Sequence, residues 1–208
     1  MELTKLPPKV EAIYQAVIVL FTQGADLSNL TVSEITAVAG IGKGTAYEYF
    51  SNKEEMIAKA LFYEAQKVCV RLYDKMKTAP SFDEKIKMLF DYMDEQLSEA
   101  TCIYRIFHIM LDCSAISVKL KEIARECPEN EYRIDSLVRQ MVLDDNRDIE
   151  QLTEEQKEYL LYDICSKIIS YAMYMDNGRR NIVLLEEQMK EMLCEELNRE
   201  VIYLKSSP

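Results

Sequence analysis

Glycine and proline, the residues that break regular structure, number only five each in 208. So few breakers, spread between long uninterrupted stretches, speak against a strand-and-turn protein and for an all-α chain. No apolar run approaches the length needed to cross a bilayer. The start, Met1-Glu2-Leu3-Thr4-Lys5-Leu6-Pro7-Pro8, has no apolar run behind a basic cluster. Neither a membrane span nor a signal peptide is therefore expected, and the cytoplasm is the expected location. Histidine occurs once, as His108 among apolar neighbours, and Arg105 stands where a Glu-x-x-His metal pair would need its carboxylate. A lone histidine reads as a packing residue, so no metal is expected. No Gly-rich phosphate loop or nucleophile elbow occurs, and Cys102 and His108 face different ways on helical text. No cofactor and no enzymatic activity are expected. The cysteines, at 69, 102, 113, 127, 165 and 194, form no C-x-x-C pair and no regular spacing; they read as reduced packing residues.

What is abundant is apolar: 49% of the chain is hydrophobic, with 11 Met and 13 Tyr, enough to bury a real core and to exclude disorder. The net charge is −11, and residues 1–60, with five lysines against seven carboxylates, carry only −2 of it. Bulk electrostatic attraction to an anionic partner is absent, so any such affinity has to come from a few well-placed lysines and backbone donors.

The spacing of Val10, Ile13, Tyr14, Val17, Leu20 and Phe21 predicts a first helix from about Pro8 to Gln23, ended by Gly24. Thr31-Val32-Ser33-Glu34 has the form of a capping box and opens a short helix that stops at Gly40. After Gly40-Ile41-Gly42, residues 43–50 read as another short helix. Two short helices around a tight glycine turn make a helix-turn-helix. In it Ile35, Val38, Ile41, Ala46 and Phe50 are expected to bury against the first helix, leaving Lys43, Thr45, Tyr47 and Glu48 to face a groove.

A fourth helix, from about Lys53 to Lys77, is stopped by Pro80 and followed by a helix capped at Ser81. Shorter segments run to Pro128, and a further helix carries Ile134, Leu137, Val138 and Met141. Thr153-Glu154-Glu155-Gln156 forms another capping box; the helix it opens lasts to about Asp176, and a last helix runs from about Asn181 to Leu204. The helix after Thr153 has apolar residues on more than one face, as expected of a helix covered by a partner subunit. The expectation is about nine helices: a three-helix head over residues 1–52 and a larger helical bundle over 53–208.

Residues Thr36-Ala37-Val38-Ala39-Gly40-Ile41-Gly42-Lys43-Gly44-Thr45-Ala46-Tyr47-Glu48-Tyr49-Phe50, followed by Lys53-Glu54, resemble the signature of the TetR/AcrR family of bacterial regulators. The resemblance is dense in register and covers about a quarter of the chain. It implies a DNA-binding set of Thr31, Gly42, Lys43, Thr45, Tyr47, Glu48, Tyr49 and Lys53. In it Thr31 and Thr45 donate to phosphates, Tyr47 presses on the DNA backbone, Lys53 pairs with a phosphate, and Lys43 leads the recognition helix into the major groove. Two positions depart from the pattern. Gly42 stands where the family often has Ser, removing a side-chain cap at a cost of a few tenths of a kcal/mol. Glu48 places a carboxylate on the exposed side of the recognition helix, able to accept from cytosine N4 but repelled by phosphates, or else a solvated surface charge.

The resemblance further implies a small-molecule effector held between body helices, for which Tyr92, Met93, Tyr104, Phe107, His108, Leu111, Tyr171 and Tyr174 are the candidate lining. It also implies a homodimer, through the last two helices, on a pseudo-palindromic double-stranded DNA operator, most simply as a repressor. The alternative is a helical binding or scaffold protein whose DNA-binding head is degenerate, motivated by the −2 charge of the head and by Glu48.

Overall fold

Every regular element is a helix among the residues that the computed structural model describes, which are 3, 5–98, 106, 109, 113–126, 134–143, 146–177 and 186–207. In chain order these are α1 (Pro8–Thr22), α2 (Val32–Ala39), α3 (Lys43–Tyr49), α4 (Lys53–Met76), α5 (Phe82–Ser98), α6 (Ala115–Glu126), α7 (Ile134–Val142), a 3-10 turn (Arg147–Ile149), α8 (Glu154–Asn177) and α9 (Glu186–Ser206). The fold is all-α, a helix-turn-helix head followed by a larger helical body. None of these helices is long and apolar enough to cross a membrane. Two compact units are formed, one from Met1–Val70 with Ala100–Ile134, the other from Arg71–Glu99 with Asp135–Pro208.

In the first unit, Pro8 starts α1 at a position where a missing N–H costs nothing and a fixed φ suits the helix. Gly24, at φ +91°, ends it: its N–H donates to Phe21 O at 3.1 Å and that of Ala25 to Leu20 O at 3.0 Å. Gly40, at φ +68°, closes α2 with the same pair of bonds, to Ala37 O and Thr36 O. Both backbones lie in the left-handed region that a residue without Cβ adopts most cheaply. The buried residues of α1, α2 and α3, among them Ile13, Val17, Phe21, Ile35 and Ala46, share one cluster with Met56, Ile57, Leu61 and Ala65 of α4 and with Ile106, Ile116 and Leu120.

One expected core residue is not there: Val38 is 49% exposed. The inward side of α2 is made by Val32, Ile35 and Thr36, which leaves Val38 about 100° round the helix from its centre. Ile41, beyond Gly40, is only partly buried against the same cluster.

The second unit is organised by α5, α8 and α9, each of which packs on the other two. Ser81 caps α5 by accepting from Glu84 N at 3.2 Å. Thr153 and Gln156 form the expected reciprocal box at the start of α8, with bonds of 2.9 and 3.2 Å. Longer-range polar contacts then fix how the helices meet: Phe82 N donates to Asp148 Oδ2 at 2.8 Å, Asn198 Nδ2 to Asp83 Oδ1 at 2.6 Å, and Gln156 Nε2 to Leu204 O at 2.9 Å. The last of these sets α8 antiparallel to α9, since it joins the start of one to the end of the other.

Candidate nucleic-acid interface

The interface begins with the turn that delivers α2. The Asp26 carboxylate accepts from Ser28 N at 2.9 Å and from Asn29 Nδ2 at 2.7 Å, folding residues 26–30 into an Asx turn pinned by buried Leu27 and Leu30. Thr31 follows as the N-cap of α2. Its hydroxyl accepts from Glu34 N at 3.2 Å and donates to Glu34 Oε2 at 2.7 Å, and its own N–H donates to Oε2 at 2.8 Å. The hydroxyl of Thr31, and then its backbone N–H, hold the Glu34 carboxyl below the usual glutamate range. The hydroxyl proton of Thr31 is thus already directed at a carboxylate within the protein.

Gly42 precedes α3 in extended conformation and supplies no side-chain cap, as its chemistry requires. On α3, Ala46 is buried and Thr45 half-buried, while Lys43, Gly44, Tyr47, Glu48 and Tyr49 are exposed. Tyr47 is half exposed, at 50%. Phe50 turns inward at the end of α3 and packs on Tyr14, whose ring centroid lies 6.0 Å away and 5.6 Å from that of Tyr63. Burial, reinforced by the nearby Glu55 carboxylate, pushes the Tyr14 phenol up to about 12. Tyr14 is therefore a neutral packing group joining α1 to the end of α3.

The start of α4 closes the arrangement. Asn52 Oδ1 accepts from Glu55 N at 2.8 Å, and the Glu55 carboxylate accepts from Ser51 N at 2.7 Å while pairing with Lys59 at 2.7 Å. Lys53 does something local pattern did not reveal: its ammonium donates to Ser28 O at 2.7 Å, across 25 residues of sequence. It ties the first turn of α4 to the Asx turn before Thr31. The signal for the turn was present in Asp26-Leu27-Ser28-Asn29; nothing local indicated that Lys53 reaches it. The ammonium has three donors and spends one on Ser28, with Glu54 3.9 Å away.

A capped α2, a turn closed by a left-handed glycine and a short α3 with its polar side outward correspond to a known pattern. Residues 15–60 match the family described as bacterial regulatory proteins, tetR family. These residues form a tetR-family head. Comparison with curated protein sequences finds no significant match. Solved structures of tetR-type fold align along the chain. The fatty acid degradation regulator FadR from Bacillus halodurans is 16% identical, with a TM-score of 0.61 and coverage of 97% of this chain and 96% of that one. FadR from Bacillus subtilis, solved in complex with stearoyl-CoA, is 16% identical at a TM-score of 0.60, over 94% of this chain and 97% of its own. The multidrug binding protein EbrR, complexed with imidazole, is 14% identical at a TM-score of 0.61, over 94% and 96%. The chain therefore has the tetR-type fold beyond the head as well.

Of the candidate effector-lining residues, Tyr104, Phe107, His108 and Leu111 lie outside the described residues. Tyr92, Met93 and Tyr171 are buried in the second unit and Tyr174 is half-buried. Tyr171 meets Phe90 edge-on at 5.2 Å and Tyr174 in a stack at 6.3 Å, and its hydroxyl donates to Asp94 Oδ1. Lys190 completes this group, donating to Asp91 Oδ1 at 2.8 Å and Asp94 Oδ2 at 3.0 Å. Burial opposes its charge, but the bonds to Asp91 and Asp94 outweigh that and hold the ammonium above its usual value. Tyr92 carries the Lys75 ammonium 4.9 Å from its ring centroid. Three of the four described candidates are thus buried, and Tyr171 is tied by its ring and hydroxyl to Phe90 and Asp94 of α5. Among the described residues no group of three or more His, Cys, Asp or Glu is placed to hold a metal ion.

Proposed function

We propose that this chain is a cytoplasmic, ligand-responsive transcriptional repressor that binds a pseudo-palindromic operator as a homodimer. The observation that carries the reading is that α3 of a tetR-type head leaves Lys43, Tyr47, Glu48 and Tyr49 exposed, with half-buried Thr45 beside them, the side chains that would face a major groove. Residues 1–52 supply these contacts, with Thr31 at a flanking phosphate once its hydroxyl turns from Glu34 and Lys53, in the first turn of α4, at another, and the rest of residues 53–208 supply effector binding and dimerisation. Because the head carries no net positive charge, affinity rests on these few groups.

The helices α8 and α9 support the dimer. Tyr159, Tyr162 and Met173 of α8, and Met192, Ile202 and Tyr203 of α9, are exposed large apolar residues, which a second copy would cover. An effector bound in the body changes the direction of α4, which runs unbroken from Lys53 to Met76, and with it the separation of the two heads. Two recognition helices must sit about 34 Å apart to enter successive major grooves, so a small change releases one of them. FadR from Bacillus subtilis holds stearoyl-CoA and EbrR holds imidazole; by analogy an organic effector enters the body near Tyr92, Met93, Tyr171 and Tyr174.

The test is selection of bound genomic fragments with the full chain, repeated with Lys43→Ala plus Tyr47→Phe. Both side chains are exposed and make no hydrogen bond or ion pair among the described residues, so the fold survives their loss. Recovery of a shared inverted repeat that the double variant fails to enrich is expected. If nothing enriches at low salt, the head is not a DNA reader and the scaffold reading takes its place.

A further inference from the structure

We infer that Glu48 is a specificity-determining residue that selects a cytosine in each half-site, an inference that rests on the DNA-binding reading above. Ala46, fully buried, marks the inward side of α3. At about 100° per residue, Glu48 lies about 200° round the helix from it, and Gly44 sits one turn before Glu48 on the same side. The carboxylate therefore occupies the middle of the outward side, flanked by Lys43 and Tyr47 on one side and by Thr45 and Tyr49 on the other. Gly44 leaves the space beside it open: a Cβ built there meets nothing within 4 Å. Glu48 makes no hydrogen bond or ion pair among the described residues, whereas Glu34 and Glu55 of the same head are both spent on caps or lysines.

A carboxylate at that place has one favourable partner in a major groove. It only accepts hydrogen bonds, and the exocyclic amines of cytosine and adenine are the donors there; adenine sets its N7 acceptor beside the amine, which repels a carboxylate, whereas cytosine presents the amine alone. Against the acceptors of the other base edges, and against the phosphates, Glu48 is repulsive. In a head of net charge −2 this repulsion weakens binding to all DNA that lacks the matching cytosine, so the residue discriminates largely by penalising wrong sequences.

The experiment is selection from randomised duplex DNA, at one stated salt concentration, with the full-length protein and with its Glu48→Ala and Glu48→Gln variants. The wild-type sites are expected to carry an invariant C·G pair at one position per half-site, and replacing it with T·A is expected to weaken binding about tenfold. Glu48→Ala is expected to lose that preference, binding both sequences within twofold of each other and non-specific DNA more tightly than the wild type. Glu48→Gln, which both donates and accepts, is expected to admit adenine at the same position. An unchanged base preference in both variants overturns the inference and makes Glu48 a surface charge, while leaving the regulator reading intact. Failure of the wild type to enrich any sequence overturns both.

Discussion

Replacing Thr31 with alanine removes two of the three hydrogen bonds that join it to Glu34, the cap to Glu34 N and the donation to Glu34 Oε2, and leaves the backbone bond from residue 31. Loss of such a cap costs about 1 kcal/mol, within a range of about 0.5–2. With only eight residues, α2 has no length over which to dilute that cost. The measurement is a urea titration followed by circular dichroism, with the free-energy difference taken from the midpoint at unchanged slope. The pH dependence gives a second reading. The folded-state value of Glu34 lies below its ordinary 4.5. Its contribution is therefore fully present above pH 4.5 and is lost as the pH falls through the lower, folded value. The difference between wild type and Thr31→Ala should shrink on that acid side. A cost at neutral pH below about 0.3 kcal/mol would refute the reasoning, since it lies outside the range for a working cap. So would a difference that stays constant as the medium is acidified.

Lys53→Met tests whether an ammonium tied to Ser28 O also reaches DNA: the slope of log affinity against log salt concentration should fall by about 0.9, and an unchanged slope with weaker binding would make Lys53 a tether alone. Tyr171→Phe keeps the edge-on packing with Phe90 but removes a hydroxyl that donates to Asp94 from a fully buried ring. It should destabilise the chain by about 1–3 kcal/mol, and a urea midpoint equal to that of the wild type would show that Asp94 does not need this donor.

Local rules carried far in the head because its elements are short and each ends on chemistry visible within four or five residues. Thr31 with Glu34, and Gly24 and Gly40 with the carbonyls behind them, are contacts within a turn or so of helix, and outside the head Ser81 and Thr153 meet the amides three residues on in the same way. Val38 went astray for the converse reason. Its spacing from Ile35 suits a buried face, but the inward direction of so short a helix is chosen by what it packs on, and Val32, Ile35 and Thr36 occupy that direction.

The sequence by itself determined the all-α class, the helix boundaries around the head and the exposure of Lys43, Tyr47 and Glu48 on α3, since propensity, capping and the 3.6-residue period act over a turn or two. Thr45, expected beside them, is half-buried. Only the tertiary structure decided that Lys53 closes on Ser28, that Lys190 serves Asp91 and Asp94, and that Tyr171 spends its hydroxyl on Asp94. These partners lie between 25 and 99 residues apart in the chain. A side chain's own turn of helix fixes the side on which it emerges, but which distant group waits there follows from burying all the apolar faces at once.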